Sequence, residues 1–221
     1  MPKTAGLSFR AALEAHFKHQ LRPDYSDYPL AHTPKERRDH ALRCSRAIRT
    51  ADFQGVGCVH GHFLPIKYQV LAEASPCTFV TWLREPLARL ISHYDYWQRS
   101  YDPASSSTSA LHRRVIEENW SLQRFALSYE LRNVYSEFLW GFPLERLKFV
   151  GIVEFFEEEL RYFSRQVLGN KLVVETLNVR EEGKSGAPEQ RLTPSDRAEI
   201  EAFHANDVQL YQSALRWRKC R

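Results

Sequence analysis

The stretch "CTFVTWLREPLARLISHYDY", residues 77–96, holds the transition on which the architecture turns. Residues 77–83 are a continuous apolar and β-branched run, the pattern of a strand buried on both faces of a parallel sheet. Pro86 then opens a helix at a position where its missing N–H costs nothing. On that helix Leu87, Leu90, Ile91 and Tyr94 form a core stripe, with Arg89, Ser92, His93 and Tyr96 on the other face. Glu85 is placed to cap it. Arg84 therefore stands at the end of a buried strand and just before a helix. A guanidinium there can hold a phosphate bidentately, with the Ser92 hydroxyl alongside. It can equally pair with Glu85 or another acid.

Working outward, "LKFVGIV" (147–153) reads as a second buried strand, with a helix behind it over 154–168. "VGCVHGHF" (56–63) is a shorter β-like run broken by Gly. Residues 8–20 place Phe9, Ala12, Leu13, His16 and Phe17 on one helical stripe, so His16 reads as a core-edge histidine. "HTPKERRDH" carries Thr33, Pro34 and Glu36 in the order of a capped helix start, with the helix expected to run to about 50. Residues 102–109 read as a surface loop, 110–140 as one or two helices, and 178–191 as a polar loop. A capped C-terminal helix is expected from Thr193 to Trp217. On its core stripe stands Asp207, a charge expected to be paired and to hold a loop. Strands alternating with helices point to an α/β sandwich around a central parallel sheet, in one domain over residues 1–221. Ligands in such folds collect at the carboxyl ends of the strands.

The chain has 221 residues, 43% apolar, with a net charge of +4. That suffices for one core and suits an anionic ligand. The most basic segment, 35–49, also contains acids and reads as a solvated helix, so no nucleic-acid partner is expected. Cys44, Cys58, Cys77 and Cys220 form no CxxC pair and read as reduced structural thiols of a cytoplasmic protein. No apolar run is long enough for a membrane span, and no secretory signal is read.

Two further motifs carry chemistry. In "PKTAGLS" (2–8), small residues let backbone N–H groups approach an anion, the following helix adds its positive end, and Lys3 adds a full charge. It is not a Walker A loop. The "GKS" at 183–185 has Asn178 where that signature needs Gly. In "CVHGHF", an extended backbone puts Cys58, His60 and His62 on one side. These can supply a general base near neutral pKa, a structural pair, or part of a metal site for which no second cluster supplies ligands.

Together "PKTAGLSF", "GHF" and "LREPLARLISHYDY" resemble the carbohydrate sulfotransferases that use 3′-phosphoadenosine 5′-phosphosulfate (PAPS), in particular bacterial members and the heparan sulfate 2-O- and uronyl-sulfotransferase branch. "FVGIVEFFEEEL" and "NDVQLYQSA" resemble two later segments of the same family. The resemblance implies a P-loop-like sandwich, PAPS as sulfuryl donor, no metal, and a hydroxyl acceptor such as an oligo- or polysaccharide. It implies that Lys3, Thr4, Ala5, Gly6, Leu7 and Ser8 surround the 5′-phosphosulfate and that Arg84 and Ser92 hold the 3′-phosphate. His62 would be the base, His60 its partner or alternate, and Lys184 would close over the donor. The chain departs from the pattern at Leu7, where the family has Thr, and at Glu85, where it has Asp. The family's strand leading into the first motif has no counterpart here, so the sheet is expected to lack its first strand through a truncated start. Two competing readings are a non-catalytic module of the same fold that binds nucleotide or anionic glycan, and a kinase-like phosphotransferase, against which the missing Walker A signature argues.

Overall fold

The computed structural model describes residues 1–27, 32–106, 108–169 and 191–221. The unit read from residues 77–96 forms β3 (Val80–Leu83) followed by α4 (Pro86–Ser100). Glu85 caps α4: its carboxylate accepts from the N–H groups of Leu87 and Ala88 at 2.9 and 2.6 Å. β3 pairs in parallel with β4 (Phe149–Ile152), Val80 opposite Phe149. A second parallel pair joins β1 (Leu21–Asp24) to β2 (Cys58–Gly61), Leu21 opposite Cys58.

The chain is thus mixed α/β, but the single central sheet expected from the sequence is not seen. Among the described residues two separate parallel pairs take its place. A cavity of about 1510 Å³ lies against the inner strand of each pair, and no backbone ladder joins β2 to β3. β1 escapes a sequence reading because Pro23 stands in its middle. Pro lacks the N–H a central strand needs, and β1 lies on the outer side of its pair.

Helices cover the strands. Phe9, Ala12 and Leu13 of α1 (Gly6–Phe17) pack with Trp82, Phe149 and, from α8 (Phe156–Gln166), Leu160 and Phe163. Thr33, Pro34 and Glu36 form the expected capping box of α2 (Pro34–Ala47). A short α3 (Gln69–Ala74) precedes β3. The 110–140 region is α5 (Ala110–Glu117), α6 (Leu122–Ala126) and α7 (Val134–Phe138); α5 and α6 pack on the core stripe of α4.

The opposite face of α4 is not open either. Arg89, Ser92 and His93 are buried there, and Tyr96 is half-exposed. The C-terminal helix expected as one piece is two, α9 (Pro194–Phe203) and α10 (Ala205–Lys219). The break falls at His204, whose ring is fixed at both nitrogens: Nε2 lies 2.8 Å from the Ala126 carbonyl, and Nδ1 accepts from the Asn133 N–H at 3.3 Å. Asp207 is paired, as expected of a charge on that stripe, but it holds the first turn of helix α7 rather than a loop. It accepts from the Tyr135 and Ser136 N–H groups, both at 3.0 Å, and from the Ser136 hydroxyl at 3.2 Å.

Candidate functional site

The first turn of α1 has the backbone geometry of an anion-binding turn. Lys3 and Ala5 adopt left-handed backbone, with φ of 62° and 56°. Turns of this kind aim successive N–H groups into one concavity. Ala5 is the N-cap and offers no capping side chain, and the first turn contains no acid. The helix start thus has no side-chain cap and no competing acid, the arrangement in which first-turn amides can take an anion. Lys3 Nζ lies 4.3 Å from the centre of the Tyr96 ring on α4. Thr4 is buried and its hydroxyl donates to the Met1 carbonyl at 3.0 Å, so that group serves the loop itself. Leu7 is 85% exposed.

The histidine strand owes its shape to Gly61. A Cβ there would lie 1.6 Å from the Asp24 carbonyl of β1, so only glycine permits this approach between His60 and His62. Asp24 is itself anchored. Its carboxylate accepts from Lys67 Nζ and the Tyr68 hydroxyl, each at 2.6 Å. Burial works against that charge, but these bonds and those from Ser26 outweigh it and lower Asp24 to about 2. The anchored strand end presents Tyr25. Its ring centre lies 6.2 Å from that of His60 and 5.2 Å from that of His62. The Tyr25 hydroxyl accepts from Arg10 at 3.5 Å and lies 3.3 Å from His60 Nδ1. Desolvation, then the nearby Met1 α-amine, lowers His60 to about 4 and His62 to about 3. Both rings are neutral at pH 7.

Arg84 is held by its backbone. The Tyr135 hydroxyl donates to the Arg84 carbonyl at 2.7 Å and accepts from its N–H at 3.1 Å. Glu85, being the α4 cap, has its carboxylate oriented on backbone amides rather than on the neighbouring guanidinium. The Glu85 N–H in turn donates to Glu154 at 2.8 Å, fixing the same corner to the end of β4.

These elements meet in the cavity that lies against β2 and β3. Its walls include Lys3, Thr4, Ala5, Gly6, Leu7 and Ser8 from the first loop, His60 and His62 from β2, and Arg84 and Ser92 from the β3–α4 corner. Lys184 lies outside the described residues. Tyr25, Arg10 and Tyr135 went unread in the sequence: Tyr25 follows a strand hidden by Pro23, and Tyr135 lies in a helical stretch with no distinguishing motif. No helix among the described residues is long and apolar enough to cross a membrane. Comparison with protein-family models, with curated proteins and with solved structures finds no match for the chain.

Proposed function

We propose that this cavity binds a doubly anionic donor and that the protein is a group-transfer enzyme with a P-loop-like architecture. Within that class, the reading best supported is a PAPS-dependent sulfotransferase acting on a hydroxyl, with a saccharide as the acceptor class. One observation carries it: a left-handed loop with a lysine, a pair of neutral histidines, and an arginine–serine corner line the same cavity though they are distant in sequence.

The residues fit the donor. The uncapped, acid-free start of α1 and Lys3 suit one anionic group, and Arg84 with Ser92 suits a second. When bound, PAPS supplies an electrophilic sulfur linked to a phosphate oxygen that leaves with negative charge. Lys3 would stabilise that developing charge, as cations do at transferring phosphoryl groups. Arg10 donates to the Tyr25 hydroxyl, whose own proton is then directed at His60 Nδ1. His60 thereby carries its proton on the other nitrogen, and Tyr25 packs against both rings. His62 takes the acceptor hydroxyl proton, a role worth about 10²–10⁴-fold in rate. Its low pKa keeps it deprotonated, and an anion bound beside it raises that pKa toward the working pH.

The test is sulfate transfer from PAPS to a panel of glycans, with His62→Ala and Arg84→Ala in parallel. The expected result is transfer by the parent chain and a loss of at least about 10²-fold in His62→Ala. Undiminished transfer in both variants would remove these residue roles. A second reading, a binding module without catalysis, draws on the interrupted sheet beneath the loop. It is supported if adenosine 3′,5′-bisphosphate binds while no glycan is sulfated.

A further inference from the structure

Tyr96 shares one face of α4 with Arg89, Ser92 and His93, but unlike them it is not packed away: it is 48% exposed. A side chain so open buries little apolar surface, so packing does not account for its place. It lines the cavity, and the Lys3 ammonium lies over its ring, 4.3 Å from the centre. Its neighbours on α4 are otherwise engaged. The Asp95 carboxylate accepts from Arg191 at 2.7 Å. The His93 ring packs edge-on against Trp97 and Phe125, and burial, followed by the charges of Arg89 and Lys3, holds it well below the usual imidazole range. His93 is therefore neutral and does not repel the ammonium.

The kind of contact matters. A lysine carries its charge on a flexible four-carbon stem, which samples many positions unless something holds the tip. A carboxylate would hold it by neutralising it, and an incoming anion would have to displace that partner. The face of a tyrosine ring attracts the ammonium through the ring quadrupole and leaves its full charge available. The contact also sets a spacing. Ser92 and Tyr96 stand one helical turn apart on α4, which puts their Cβ atoms ~5–6 Å from each other. Both line the cavity. An ammonium seated on Tyr96 is thus tied to the turn of helix that carries Ser92, and the loop keeps a constant separation from the Arg84–Ser92 corner. Thr4 steadies the same loop from within, through its hydroxyl on the Met1 carbonyl.

We propose that Tyr96 is a positioning residue that also sets specificity: its ring seats the Lys3 ammonium, fixes the distance between the two anion subsites, and so favours a ligand with two anionic groups over a ligand with one. This role rests on the donor reading, in which Lys3 meets one anionic group and Arg84 with Ser92 meets the other.

Two readouts test it. In chains with isotope-labelled lysine, the ring current of Tyr96 shifts the Lys3 Cε protons upfield. The shift is expected in the parent chain and in Tyr96→Phe, which keeps the ring face, and is expected to vanish in Tyr96→Leu. The same resonance position in the parent and in Tyr96→Leu would overturn the seat. Titration calorimetry reads the spacing. Tyr96→Leu should bind adenosine 3′,5′-bisphosphate about two- to fivefold more weakly, the size of a cation–π contact at an exposed site, and adenosine 3′-monophosphate as tightly as the parent does. Tyr96→Phe should restore the bisphosphate affinity, and in a Lys3→Ala chain Tyr96→Leu should cost nothing further. Equal losses for both nucleotides, or a loss that persists without Lys3, would make the ring merely structural and overturn the proposal. If the parent chain binds neither nucleotide, the donor reading falls and inorganic pyrophosphate decides the seat separately. The ring-current shift with weaker pyrophosphate binding in Tyr96→Leu upholds it, and unchanged or absent pyrophosphate binding refutes it.

Discussion

Replacing Tyr135 with Phe removes one oxygen and tests how the β3–α4 corner is held. The ring is fully buried, and burial pushes its phenol well above the usual range, so the group stays a donor. Its hydroxyl makes two bonds to a single residue, the Arg84 carbonyl at 2.7 Å and the Arg84 N–H at 3.1 Å. Each such bond contributes about 1 kcal/mol net, and losing both leaves two backbone groups short of partners. The expected cost is about 2 kcal/mol. In a chain of this size that lowers the thermal midpoint by about 4–8 °C. Because the clamp also aims Arg84, adenosine 3′,5′-bisphosphate should bind about tenfold more weakly. Differential scanning calorimetry reads the first effect and titration calorimetry the second. A Tyr135→Phe chain with parental midpoint and affinity would refute the claim that this hydroxyl positions Arg84.

Three further outcomes are expected. Gly61→Ala drives a Cβ into the Asp24 carbonyl and should destabilise by about 3 kcal/mol or prevent folding, read by urea denaturation, whereas Gly55→Ala, with open space around it, should cost only the roughly 1–2 kcal/mol of an alanine at its left-handed φ of 75°. Lys67→Met leaves the Asp24 carboxylate buried without its cation and should cost about 3–5 kcal/mol; Asp24→Asn in the same chain should recover part of that loss. Stability should fall with acid. His60, His62 and His204 have folded pKa values of about 4, 3 and 4 against 6.5 unfolded, so the unfolded chain binds more protons, and their contribution is whole above pH 6.5 and lost as pH falls through 4. For the buried His204 the difference amounts to about 3 kcal/mol, and His204→Gln should flatten the curve of unfolding free energy against pH by that amount.

The sequence revealed those elements whose local signals agree with their packing. The apolar run of β3, Pro86, the Glu85 cap and the capping box at Thr33 are each local, and each formed as read. What escaped was set by distant partners. β1 carries Pro23 and exists through its register with β2. The break at His204 depends on Ala126 and Asn133, more than 70 residues away. The face of α4 that carries Arg89, Ser92 and His93 is buried because α7 and α10 bring Tyr135 and Asp207 against that side, which helical spacing alone does not encode. At the site, the loop lysine, the two histidines and the Arg84–Ser92 corner were readable as types. The groups that aim them, Tyr25 and Tyr135, act through contacts that no spacing rule encodes.

The central claim is that Lys3, His62, Arg84 and Ser92 form one site for a doubly anionic nucleotide. Titration calorimetry with adenosine 3′,5′-bisphosphate tests it most directly, on the parent chain and on Arg84→Ala, with folding of both checked by circular dichroism. The expected result is one binding site per chain and an affinity at least tenfold weaker in Arg84→Ala. A folded parent chain that binds none of the nucleotide, or binds it no better than Arg84→Ala does, would contradict the claim.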